Sequence, residues 1–88
     1  MSEGHRPEDS IGIVSHYFSN LSVAAVSLTA PLQVGETIHV RGHTTDFVQT
    51  VDSMEVEHAR VSRAGPGDDV AMKVVDHVCE HDWLYREA

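Results

Sequence analysis

Residues 34–75 read VGETIHVRGHTTDFVQTVDSMEVEHARVSRAGPGDDVAMKVV. In this stretch a glycine followed by an acid turns the chain into an alternating strand twice, at Gly35-Glu36 and again at Gly67-Asp68-Asp69. After the first corner, Ile38 and Val40 share one face while Thr37, His39 and Arg41 take the other, the period-two pattern of a half-buried strand. After the second, Val70, Met72 and Val74 form a core face against Ala71, Lys73 and Val75. Between them, Phe47 to His58 reads as a long strand kinked at Asp52-Ser53, where the alternation slips phase as a bulge would cause. Ala64 to Asp68 is a turn, because Pro66 fixes one dihedral and Gly67 frees the next. Such a chain makes a small antiparallel sheet whose edges must be closed or covered. The expectation is therefore all-β: a small closed antiparallel β-barrel of about six to seven strands.

The flanking segments extend this pattern. Residues 1–10, MSEGHRPEDS, are polar and punctuated by Gly and Pro, so a polar tail is expected to precede a barrel domain over 11–88. Ile11 to Phe18 is strand-like, and Gly12 among large neighbours marks a bulge or a close backbone crossing. Ser19-Asn20 suits a turn. In LSVAAVSL, residues 21–28, the Ala pair favours a helix, but the β-branched residues and the shortness of the run favour a strand. Leu32 and Val34 are placed to plug a barrel end. Glu80-His81-Asp82 turns the chain into a closing strand at Trp83 to Arg86.

The totals narrow the function classes. Eighty-eight residues make one domain, since a chain of this size buries roughly 60 to 70% of its unfolded surface and cannot support two cores. Fourteen acidic against six basic side chains give a formal charge of −8, which opposes nonspecific nucleic-acid binding. Only a local patch, with Arg41, Arg60 and Arg63 meeting across neighbouring strands, would offset that balance. With Cys79 as the only cysteine there is no intrachain disulfide. No leader pattern opens the chain and no apolar run approaches the roughly 20 residues that span a bilayer. A soluble cytoplasmic protein without membrane contact is expected.

GIVSHYF, LQVGETIHVRG, QTVDSMEVEH and AGPGDDVAMKV resemble the second, β-barrel domain of translational GTPases such as elongation factor Tu and initiation factor 2. They resemble more closely the stand-alone translation elongation factor-like proteins that consist of this barrel alone. The resemblance covers almost everything after residue 10 and implies a non-catalytic binding module contacting tRNA or a translation or RNA-modification partner. It implies a pocket between the loop His43 to Asp46 and the strand end Glu57-His58. Similar barrels also close the C-terminal part of collagenase-like peptidases, which gives the alternative: an accessory subunit that binds an enzyme of that kind and no RNA. No G-x-x-x-x-G-K-[ST] occurs, so no GTP binding by this chain alone is expected.

The residues singled out for binding are Arg41, His43, Thr44, Thr45, Asp46, Gln49, Glu57 and His58. Thr44-Thr45-Asp46 with Gln49 form a polar cluster beside an expected exposed edge, although Asp46 could serve only to hold its loop. His77, Cys79 and His81 would share one face of a strand as soft ligands for zinc or copper, but a structural zinc site wants four ligands and no second cysteine exists. No metal or cofactor is therefore expected. His39 and His43 straddle a strand end and are expected to be solvated. No nucleophile elbow or oxyanion loop accompanies Ser15-His16, Ser53 or Cys79, so the chain is not expected to be an enzyme.

Overall fold

A computed structural model describes residues 6–87. After a 3-10 turn at Pro7–Asp9, ten strands follow: β1 (Gly12–Phe18), β2 (Val23–Leu28), β3 (Leu32–Gln33), β4 (Thr37–Arg41), β5 (Asp46–Thr50), β6 (Met54–Val56), β7 (Ala59–Val61), β8 (Arg63–Ala64), β9 (Asp69–Lys73) and β10 (Trp83–Arg86). Eight form one antiparallel sheet in the order β5-β4-β10-β1-β2-β9-β6-β7, and β3 with β8 makes a separate ribbon. The all-β expectation holds. The closed barrel of six to seven strands is corrected to an open, half-barrel sheet of eight strands, because no ladder joins the β5 edge to the β7 edge. The chain leaving β7 enters β8 and pairs with β3, so that edge has no continuation with which to close.

One face carries the core. Val14 of β1, Ala24, Val26 and Leu28 of β2, Ile38 and Val40 of β4, Met54 of β6, and Val70 and Met72 of β9 are buried at every second position. This alternation, together with pairing to β1 on one side and β9 on the other, settles Val23–Leu28 as strand against the helical preference of its Ala pair. Gly12 lies where a Cβ would come within 2.9 Å of Val26 Cγ1 and 3.0 Å of the Ser27 carbonyl oxygen, the expected close backbone crossing. The register slips between Val14 and His16, so the bulge of β1 falls at Ser15. Leu32 is buried as expected, whereas Val34 is exposed. Of the expected tail, residues 1–5 lie outside the described residues, and the Asp9 N–H donates to the Arg6 carbonyl within the 3-10 turn.

The long strand expected over Phe47 to His58 is divided. β5 stops at Thr50, and β6 resumes at Met54, with the break at the expected kink. Val51 pairs instead with the first Gly-acid corner: the Gly35 N–H donates to its carbonyl at 2.9 Å and its own N–H donates to the Glu36 carbonyl at 2.8 Å. β6 then reverses into β7 through a two-residue hairpin, Glu57-His58, with both residues at positive φ, 52° and 67°. This is the turn that Gly or Asn ordinarily supplies. Each side chain held there costs about 1 kcal/mol or more. The double variant E57N/H58G is expected to raise stability by about 1–2 kcal/mol, seen as a higher urea midpoint at unchanged slope; an unchanged or lower midpoint would show that the hairpin is not strained.

Candidate functional site

A recess opens between the β4–β5 loop and the turn before β10. It is a shallow cleft of about 510 Å³ lined by Arg41 to Thr44 and Cys79 to Trp83, with Tyr85 at its base. The loop side is held by the Gly42 N–H donating to the Thr45 carbonyl at 2.8 Å, which buries Thr45. The other side is a four-residue turn, with the Asp82 N–H donating to the Cys79 carbonyl and His81 at φ 76°. Asp82, only 4% exposed, accepts the Cys79 N–H on Oδ2 at 2.8 Å. Its other carboxylate oxygen lies against Gly42, so close that a Cβ there would fall 1.8 Å from Oδ1. A side chain at 42 would therefore require Asp82 to shift, so the two walls of the cleft meet at this pair.

The groups facing the cleft suit recognition. Arg41 makes no ion pair among the described residues, and burial pushes the Tyr85 phenol above the ordinary tyrosine range while the Arg41 charge opposes that shift. His43, His81 and the Trp83 indole offer donors and a stacking face. Among the described residues, no three His, Cys, Asp or Glu side chains are grouped to hold a metal ion. The HVCEH segment is loop rather than strand: the His77 ring packs edge-on against Tyr17 at 4.8 Å, Val78 is buried, and Cys79 and His81 belong to the turn.

The structure separates the residues singled out from sequence. Arg41, His43 and Thr44 line the cleft. Asp46 and Gln49 are structural. Asp46 Oδ1 lies 2.5 Å from His39 Nε2, and His39 Nδ1 lies 3.5 Å from Glu87, so His39 is flanked by carboxylates rather than solvated. Gln49 is 8% exposed and ties the sheet's edge to the end of β9, its amide donating to the Lys73 carbonyl at 3.0 Å and accepting the Val75 N–H at 2.9 Å. Glu57 and His58 sit at the opposite end of the β5–β6 path, in the β6–β7 hairpin. His43 and Thr44 thus line one recess and Glu57 and His58 another, apart from the single pocket implied by resemblance. Arg41, Arg60 and Arg63 belong to separate ladders, β4 with β10 and β5, β7 with β6, and β8 with β3, so no shared ladder gathers them. Sequence reasoning missed Asp82 and Gly42; the signal was an acid three residues after Cys79, the spacing of Gln33 to Glu36 and Gly65 to Asp68.

The fold has counterparts among solved structures. The structure superposes on the C-terminal domain of a protein named as a U32 peptidase from Geobacillus thermoleovorans, with a TM-score of 0.88, 18% identity, 98% of this chain and 100% of that chain covered. The selenomethionine variant of that domain matches with a TM-score of 0.82 and 19% identity over 86% of this chain and 96% of that one. In sequence, the chain is 37% identical over 76 residues, 85% of its length, to an uncharacterized protease, MJ0090, of Methanocaldococcus jannaschii. The chain spans 19% of the length of that protease. No family model matches. These matches carry the names of a protease and of a peptidase domain, which overturns the resemblance to stand-alone translation elongation factor-like proteins and removes the support for the RNA and tRNA contact that it implied.

Asp82→Ala is expected to lower stability by about 1–3 kcal/mol, because the Cys79 N–H loses its acceptor inside the turn, and to speed alkylation of the Cys79 thiol by iodoacetamide. His81→Gly, which relieves the positive φ, is expected to raise stability by about 1 kcal/mol. Equal stability and thiol reactivity in Asp82→Ala and the parent would show that the carboxylate does not hold the turn.

Proposed function

We propose that this chain is an accessory, non-catalytic β domain of a U32-type, collagenase-like peptidase system, acting by binding protein, whether as a separate subunit or within a longer chain. The observation that carries this reading is the 37% identity over 85% of the chain to a protease of which it spans only 19%. The fold shared with a peptidase C-terminal domain supports it. So does the surface: the arginines are dispersed over three ladders, and Phe18, Leu21 and Val75 expose large apolar side chains, the combination that favours a protein partner over a nucleic acid. A charge of −8 points in the same direction. Within this reading the domain extends over 11–88, the protein works in the cytoplasm, and the cleft of Arg41, His43 and Thr44 serves recognition rather than chemistry.

The test uses the M. jannaschii protease with the segment matching this chain removed. That polypeptide, immobilised, is expected to retain this chain at micromolar concentrations, and the chain alone is expected to leave fluorescent gelatin and casein uncut. Hydrolysis by the chain alone, or failure of the truncated protease to retain it while retaining its own excised segment, would overturn the reading.

A further inference from the structure

The outer face of the sheet contains a trough that neither the core nor the cleft uses. The registers place side chains in rows across four strands. Phe18 of β1, Val23 of β2 and Lys73 of β9 stand side by side, and His16, Ala25, Ala71 and Glu55 stand in the next row. The two alanines are neighbours at the centre and leave a depression. One wall is Phe18 with Leu21 of the β1–β2 turn, 44% and 62% exposed; the other is the β6–β7 hairpin with Glu55, His58 and Arg60. Two adjoining recesses, of about 480 and 160 Å³, share Glu55, His58 and Ala71 and make one continuous trough. Its ends differ. Val23 and Lys73 stand at one, and Glu57 and Asp69 line the other.

We propose that this trough docks an amphipathic helix of a protein partner, with its apolar stripe on Ala25 and Ala71 and with lysine or arginine side chains toward Glu57 and Asp69. Three observations select that occupant. The floor strands are already paired on both sides, β2 with β1 and β9, and β9 with β2 and β6, so an added strand finds no free backbone there and the guest must satisfy its own. The walls stand three strand spacings apart, about 14 Å, which accommodates a helix of about 10–12 Å diameter. The carboxylates of Glu57 and Asp69 select lysine or arginine at that end of the guest, while Arg60 and Lys73 lie in the recess at the other end and leave its positive charge no place there. The peptidase reading enters only as the source of the helix; the surface chemistry stands apart from it.

The test titrates the isotope-labelled chain with a synthetic peptide of about 16 residues, roughly 24 Å as a helix. Its leucines recur at i, i+3, i+4 and i+7, and its lysines lie at one end. A second peptide of the same composition is scrambled to lose the stripe. Amide shifts are expected at Phe18, Val23, Ala25, Glu55 and Ala71, at least tenfold weaker binding to Ala71→Trp and to E57K/D69K, and recovery in E57K/D69K when the lysines of the peptide become glutamates. The resonances of each variant report whether it is folded, and Ala71 faces outward, so Ala71→Trp leaves the core intact. Shifts centred on the Arg41 to Thr44 cleft, equal binding of the scrambled peptide, or self-association of the chain through Ala25 and Ala71 would overturn the proposal. Because no peptidase is present, the result stands separately from the retention experiment. Retention of the chain by the truncated protease, undiminished in Ala71→Trp, would sink the trough while leaving the peptidase reading intact.

Discussion

A single hydrogen-bonding device sets three corners of this fold. At Gln33–Glu36, Gly65–Asp68 and Cys79–Asp82 the fourth residue is an acid, its N–H donates to the carbonyl of the first, and its carboxylate accepts the N–H of the first in return, at 3.0, 2.8 and 2.8 Å. The third residue takes positive φ in each: Gly35 at 99°, Gly67 at 89° and His81 at 76°. The acid thus satisfies a backbone donor that the turn would otherwise leave unpaired, and the third residue supplies the reversal. Two of the corners use glycine and the third uses histidine, so the turn beside the cleft carries strain that the others avoid.

These corners also explain why the sheet coils without needing a closing ladder. Glu36 uses one carboxylate oxygen for its own turn and the other for Arg86 Nε at 3.1 Å, while Arg86 also donates to the Pro31 carbonyl. The first corner is thereby fastened to β10 and, through Gly35 and Glu36, to Val51 at the break between β5 and β6. Gln49 binds the other side of that break to Lys73 and Val75. Side chains and turn amides do here what a further strand ladder would do in a closed barrel.

How much of this was legible depended on whether the signal was local. The alternation of Ile38 and Val40, of Val70, Met72 and Val74, and the Pro66-Gly67 turn are properties of a few consecutive residues, and they fixed the strands and the second corner. The Glu57-His58 hairpin was hidden because neither residue is the Gly or Asn that marks such turns; the trace was the three-residue step from Val56 to Ala59 where the alternation requires two. Gln49, His39 and Asp82 read as surface polar residues, since their partners lie 24 or more residues away, across a sheet, or on a turn whose third residue is not glycine. Thr45 and Gln49, expected to be a binding cluster at an exposed edge, are buried to hold that edge.

The chemistry on the surface follows from the same arrangement. Corners and edge fastenings engage the side chains of Asp46, Gln49, Asp68 and Asp82. What remains outside includes the exposed apolar side chains Phe18, Leu21 and Val75 and a formal charge of −8. The most direct measurement is hydrogen–deuterium exchange of the chain with and without the truncated protease. The account expects slower exchange at Phe18 to Val23 and at Val56 to Ala59, the two sides of the trough, when the protease is present. No slowing anywhere in the chain at saturating protease would contradict it.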